Sequence, residues 1–159
     1  MKTAPAHKSI QDRIENSIEL HSPVTRVWRA LTDYREFGAW FRVALDGPFK
    51  AGEDAHGKVT HPGYEHLTFH AIVQSIDPEQ YFAFTWHPYA VDPAVDYSEE
   101  TPTLVEFHLE PISAGTRLTV TESGFSDLPD GRRDEAFARN GEGWSMQMKN
   151  LEDYIAQHP

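Results

Sequence analysis

The chain has no cysteine, which excludes disulfides, thiolate metal sites and thiol nucleophiles together and is compatible with a reducing compartment, the cytoplasm by default. Positive charge is scarce: 14 Lys and Arg stand against 25 Asp and Glu, a formal net charge of -11. A field of that sign repels phosphate backbones and anionic membrane surfaces, so nucleic acid is not expected as a partner. Long apolar runs are missing too. Met1 to Gln11 carries Lys2, Pro5, His7 and Lys8 where a leader would carry an apolar stretch, so neither a signal peptide nor a membrane span is expected. No glycine-rich phosphate loop, nucleophile elbow or Ser/His/Asp arrangement stands in a supporting context, and no cofactor is expected.

What the chain does have is aromatic weight. Among 159 residues are 9 Phe, 6 Tyr and 4 Trp, enough to build a substantial core within a single domain. Residues 1–12 read as a flexible tail and residues 13–159 as that domain. From about Arg132 to Gln157, Phe137, Gly141/Trp144, Met148, Leu151 and Ile155 recur at steps of three and four while Arg139, Glu142, Lys149, Glu152 and Asp153 take the opposite face, which predicts one long amphipathic helix. Gly141 and Gly143 each cost that helix roughly 1 kcal/mol relative to alanine. Close approach of another backbone would account for them, and so would an opening or bulge beside a cavity.

At the other end of the chain, Ile14, Asn16, Ile18 and Leu20 alternate with Glu15, Ser17, Glu19 and His21, the period of a strand with one buried face. Ser22-Pro23 reads as a cap and first turn for a short helix bearing Val24, Val27, Trp28 and Leu31. Asp33 caps a second short helix, Tyr34 to about Phe41. Strand-like runs follow at about 43–45, 55–60, 64–76, 81–87, 104–109 and 117–122, with Asp77-Pro78 and Ala114-Gly115 as hairpin punctuation. Gly38, Gly47, Gly52, Gly57 and Gly63 read as turn or bulge positions. The order of one strand, two small helices, about six strands and one long helix predicts an α+β domain with an antiparallel sheet.

Several local motifs occur in that same order: Val27-Trp28-Arg29-Ala30-Leu31-Thr32 with Trp40-Phe41, Tyr81-Phe82-Ala83-Phe84-Thr85-Trp86 after Asp77-Pro78-Glu79, Gly115-Thr116-Arg117-Leu118-Thr119-Val120-Thr121-Glu122 before Gly124-Phe125, and Asn140-Gly141-Glu142-Gly143-Trp144. Through them the chain resembles the START, polyketide-cyclase and birch-allergen-like (SRPBCC) superfamily over about Arg13 to Ala156. The branch it most resembles is that of the C-terminal domain of the activator of the heat-shock-protein-90 ATPase. The resemblance implies a helix-grip fold, a curved antiparallel sheet wrapped around the long C-terminal helix, with a cavity between them. Members of this superfamily bind lipids, close polyketide rings or assist a chaperone, so fold does not stand in for function.

Alternation assigns the sheet wall of that cavity to Leu67, Phe69, Ala71 and Val73, then Phe82, Phe84 and Trp86, then Val105, Phe107 and Leu109, then Leu118, Val120 and Glu122. Asn16 and Glu122 are the polar residues of this face. An inward carboxylate must pair, sit at a wet rim or change its proton affinity. The candidate ligand-binding set is Asn16, Tyr64, Phe69, Phe84, Trp86, Phe107, Glu122, Trp144 and Met148, with Glu122 the one catalytic candidate. His56, His61, His66 and His70 cluster in print, but residues four apart on a strand are roughly 13 Å apart, so His66 and His70 cannot share an ion and no metal site is expected. The acidic, proline-bearing segment 88–102 reads as a long hairpin loop, a lid or partner surface on one reading and a tolerated excursion on the other.

Three functions compete. A non-enzymatic binder of a small hydrophobic or amphipathic ligand ranks first. A co-chaperone-like module with a chaperone or other protein partner is implied by the resemblance alone, and the separate N-terminal domain of those activators has no place in this length. An enzyme of cyclase, dehydratase or hydrolase type would use Glu122 as acid/base, with Asn16 or Tyr64 orienting substrate.

Overall fold

In a computed structural model the described residues are 12–159. The expected tail, 1–12, lies outside them except for Asp12, whose carboxylate accepts a hydrogen bond from the Ser126 amide at 2.9 Å. Strand β1 (Arg13–Leu20) leads into α1 (Val24–Thr32) and α2 (Tyr34–Phe41). Strands β2 (Val43–Leu45), β3 (Asp54–Val59), β4 (Thr68–Asp77), β5 (Tyr81–Trp86), β6 (Thr103–Ile112) and β7 (Gly115–Ser123) follow, and a 3₁₀ turn (Phe125–Asp127) leads to the long helix α3 (Asp130–Gln157). The strands form one antiparallel seven-stranded sheet in the order β1-β7-β6-β5-β4-β3-β2. Each strand from β2 to β7 therefore pairs with its neighbour in sequence, and β1 closes onto β7. With the long C-terminal helix and the two short helices after β1, this is the helix-grip fold. No helix among the described residues is long and apolar enough to cross a membrane.

The local signals act largely as their chemistry requires. Asp33 caps α2, accepting from the amides of Arg35 and Glu36 at 2.9 and 3.3 Å. Ser22 does not cap α1. Pro23 occupies the cap position with an extended backbone and no side-chain bond, so the helix begins one residue later, at Val24. In α3 the buried residues are Ala136, Trp144, Met148, Leu151 and Ile155. Phe137 is only part-buried, with its ring against Phe125 at 5.4 Å. The run expected to start at Tyr64 begins as a strand only at Thr68, because residues 61–67 make tight turns. Gly38 and Gly57 lie within α2 and β3. At Gly57 a Cβ would meet the Ala44 carbonyl oxygen at 2.0 Å, so that glycine is set by the closeness of β2.

The core is dominated by aromatic rings packed mostly edge-on or tilted. Phe37, Phe82, Phe84, Phe107 and Phe125 are fully buried, and Phe82 lies 5.0 Å from Phe49, 5.8 Å from Phe84 and 5.9 Å from Phe107. At one end of α3, Glu36 ties three helices together, held by Arg26 at 2.9 Å, Arg29 at 2.8 Å and the Tyr154 hydroxyl at 3.1 Å. Nearer the middle of α3, around Asn140 and Trp144, a groove opens between the helix, the end of α2 and β5.

Candidate functional site

Three rings begin the groove: Phe41 at the end of α2, Trp86 at the end of β5 and Trp144 in the middle of α3. Their centroids are 6.1, 5.8 and 6.2 Å apart, taken as Phe41–Trp86, Trp86–Trp144 and Phe41–Trp144. On the helix side of these rings is a cleft of about 110 Å³, completed by Asn140, Gly143, Met146 and Gln147. On the sheet side is a second cleft of about 280 Å³, which reaches Phe69, His70, His87, Tyr89, Val91 and Tyr97. Phe41, Trp86 and Asn140 line both clefts. They therefore act as a shared sill between two parts of one groove.

Beneath that sill is Glu122, with no solvent exposure. Parity with Leu118 and Val120 on β7 turns it inward, and its carboxylate collects four donors from three elements. Trp86 Nε1 donates to Oε2 at 2.7 Å, Thr103 Oγ1 to Oε2 at 2.6 Å, Trp144 Nε1 to Oε1 at 2.8 Å, and Asn140 Nδ2 to Oε1 and Oε2 at 2.9 and 3.2 Å. An indole N–H can only donate, so two of these partners demand an acceptor at that place. All four are neutral, and among the described residues no cation pairs with Glu122. Such a cluster locks the ring orientations of Trp86 and Trp144, because turning either ring strands a buried donor at about 1–3 kcal/mol.

The outer wall is the 87–102 segment, held down by one arginine. Arg132, in the first turn of α3, makes an ion pair with Glu100 at 3.2 Å and donates to the carbonyls of Tyr89, at 3.1 Å, and Pro88. Its guanidinium stands 4.6 Å from the Tyr97 ring centroid, and Arg139 covers Tyr89 at 5.6 Å. Tyr89 adopts a positive φ of 48°, an uncommon conformation for a tyrosine that its surroundings must sustain. His87 buries Nδ1 with no hydrogen-bond partner among the described residues. Burial lowers its pKa below the ordinary histidine value, opposed by the nearby Glu100 charge.

Of the sequence-derived candidates, Phe69, Trp86 and Trp144 line the groove and Glu122 underlies it. Phe84, Phe107 and Met148 do not reach it. Each is at most 1% exposed within the core, because ring-to-ring packing fills the space that alternation alone assigned to a cavity. Asn16 donates to Ser145 Oγ at 3.2 Å across the β1–α3 contact, away from both clefts. Tyr64 sits in a turn outside the strand, 48% exposed and 5.4 Å from the His61 ring. Groove residues that sequence reasoning missed include Phe41, Asn140, Tyr89, Tyr97 and His87, along with Thr103 beneath them. Asn140 opens a motif noted in the sequence, but only the fold brings it to Glu122.

Backbone approach does not explain the helix glycines: a Cβ at Gly141 or Gly143 would meet nothing within 4 Å, and α3 runs through both without a bulge. Gly143 instead keeps the smaller cleft open. His56 and His70 face each other across β3 and β4 with ring centroids 6.3 Å apart, but each has its own carboxylate. His56 pairs with Asp46 at 2.7 Å and His70 with Asp54 at 3.3 Å, while His66 is exposed. Among the described residues no three His, Asp or Glu converge as metal ligands would.

A family model described as Activator of Hsp90 ATPase homolog 1-like protein matches residues 21–156. No curated protein matches the chain. Among solved structures, protein MLL2253 from Mesorhizobium loti is 22% identical with a TM-score of 0.73, over 92% of this chain and 98% of that one. Protein NE0264 from Nitrosomonas europaea is 21% identical with a TM-score of 0.72, over 94% and 97%. DynU16, described as a putative protein in the dynemicin biosynthetic locus, is 26% identical with a TM-score of 0.71, over 91% of this chain and 47% of its own.

Proposed function

The chain belongs to the Activator of Hsp90 ATPase homolog 1-like family, and from that premise we propose that it binds a small apolar or amphipathic molecule in the groove over Phe41, Trp86 and Asn140. The observation that carries this reading is the sill itself: two adjoining clefts share aromatic walls whose ring orientations are locked from below by Glu122. Preformed concave sites with mostly apolar walls and a few placed polar groups are the usual form of small-molecule sites. The larger cleft, about 280 Å³, approaches the lower end of their usual volumes, roughly 300 Å³.

On this reading Glu122 is a positioning residue. It is fully enclosed, and its oxygens already accept from four side chains, so it orients Trp86 and Asn140 and does not touch the ligand. The ligand contacts Phe41, Phe69, Trp86, Tyr89 and Tyr97.

Native mass spectrometry of protein purified from its own host tests the reading, with a retained small-molecule adduct as the expected result. A fluorescent apolar probe gives a second test: micromolar binding to the folded chain, weakened roughly fivefold to tenfold by Trp86→Ala through loss of a ring contact. Binding that ignores both Trp86→Ala and Tyr97→Ala contradicts the groove as its site.

A further inference from the structure

The residues lining the smaller cleft, Phe41, Trp86, Asn140, Gly143, Met146 and Gln147 with Trp144 as floor, carry no charge. Yet a carboxylate lies directly beneath them, bonded to neutral donors and paired with no cation among the described residues. The two indoles in the cleft both direct Nε1–H at that carboxylate, at 2.7 and 2.8 Å. A hydrogen bond to an anion polarises its donor, which makes the faces of both indoles more negative. Ring faces of this kind attract cations, tryptophan most strongly.

The wider field has the same sign. The chain carries a net charge of -11; of the two arginines on the loop wall, Arg132 is engaged by Glu100 at 3.2 Å and Arg139 lies over the Tyr89 ring, and neither lines the smaller cleft.

We infer that the smaller cleft takes a compact alkylated ammonium group, with the rest of the ligand extending over Phe41 and Trp86 into the larger cleft. The inference rests on the ligand-binding reading of the groove and adds to it the charge of the ligand. An alkylated ammonium suits the cleft better than a primary one, because it needs no hydrogen-bond acceptors and these walls are mainly apolar. A carboxylate or phosphate would meet the field of Glu122 with no cation in the lining to receive it.

The test compares two probes of the same shape on the full chain at low salt: choline, and 3,3-dimethylbutan-1-ol, in which a tert-butyl group replaces the trimethylammonium. Calorimetric titration should find choline bound roughly tenfold more tightly. In Glu122→Gln, with folding verified by near-ultraviolet circular dichroism, both probes should weaken because the amide keeps only one acceptor for the two indoles, but choline should weaken more and lose most of its advantage over the alcohol. Phe41→Leu, which leaves the Glu122 cluster intact, should likewise weaken choline more than the alcohol and serves if the first variant does not fold. Equal affinities in the wild type, or binding of the apolar fluorescent probe without choline, would overturn the inference and leave the groove reading standing. Failure of all three probes to bind would overturn both.

Discussion

Two carboxylates, Glu36 near the C-terminal end of the long helix and Glu122 against its N-terminal half and middle, are held in opposite ways. Glu36 meets two guanidinium groups, Arg26 at 2.9 Å and Arg29 at 2.8 Å, and the Tyr154 hydroxyl. Its charge is cancelled where it stands, and the cluster braces α1, α2 and the end of α3. Glu122 is more deeply buried but meets only the neutral donors of Trp86, Thr103, Asn140 and Trp144. It orders the rings of a groove while its charge stays unneutralised by any cation. The difference separates a brace from a platform: both are rigid, but only one leaves open aromatic surface and a residual field beside a cleft.

The largest effect should come from removing the carboxylates. Glu122→Leu leaves several buried donors unpaired and should cost about 3–5 kcal/mol of unfolding free energy in urea, the range for breaking a buried charged contact. Glu36→Leu should cost less, about 1–3 kcal/mol, because Arg29, 57% exposed, can return to water and the buried Arg26 keeps its bond to the His158 carbonyl. Equal losses would break the comparison.

The arginines should then separate the two ends by function. Arg132→Ala removes the ion pair to Glu100, two carbonyl bonds and the Tyr97 contact. Amide exchange across residues 87–102 should quicken by about tenfold or more, matching loss of about 1–3 kcal/mol of charged hydrogen bonding, and groove affinity should fall. Arg26→Ala should lower global stability and leave the affinity of the folded protein unchanged. A loop that exchanges no faster in Arg132→Ala contradicts the anchoring role.

Smaller effects should appear in pH dependence, with a different limb for each end. Burial sets the folded pKa of His87 below its ordinary value, so its contribution is present above the unfolded value of about 6.5 and is lost as pH falls through the lowered one. Tyr154 is raised, first by burial and then by Glu36. Its contribution is present below about 10 and is lost as pH rises through the raised value. Tyr81, pushed up to about 12 by burial and by Glu106, shares that alkaline limb. Stability curves of His87→Gln and Tyr154→Phe should flatten the acid and alkaline limbs respectively, and a His87→Gln curve with an unchanged acid limb would contradict the first assignment.

The smallest effect lies within one turn of α3. Gly141→Ala and Gly143→Ala should each stabilise by about 0.5–1 kcal/mol, since a Cβ at either meets nothing. Only a larger residue at Gly143 should also weaken ligand binding, because Gly143 lines the cleft and Gly141 does not. Equal binding losses at the two positions would remove the cleft as the reason for the difference.

The fold was legible where the pattern is local. Alternation in β1, β6 and β7, the Asp33 cap and the stripe of α3 each state their element, and their order states the architecture. Parity also turned Glu122 inward correctly. It could not name the partners, because Trp86, Thr103, Asn140 and Trp144 come from β5, β6 and α3 and meet only after the sheet closes on the helix. Nor does alternation measure volume: Phe84 and Phe107 face inward as expected, but their rings fill that interior and move the open space to the rim. Tyr64 was misplaced because the turn around Gly63 interrupts a run that otherwise reads as strand.

The four tryptophans allow a direct test of where binding occurs. Trp86 and Trp144 donate to Glu122 beneath the groove, Trp40 donates to the Ala30 carbonyl at 2.8 Å, and Trp28 stands on α1. Titration of the ¹⁵N-labelled full chain with the apolar fluorescent probe should shift the indole Nε1–H signals of Trp86 and Trp144 along one saturable curve and leave those of Trp28 and Trp40 in place. Saturable shifts at Trp28 or Trp40 with Trp86 and Trp144 unmoved would contradict the groove as the binding site.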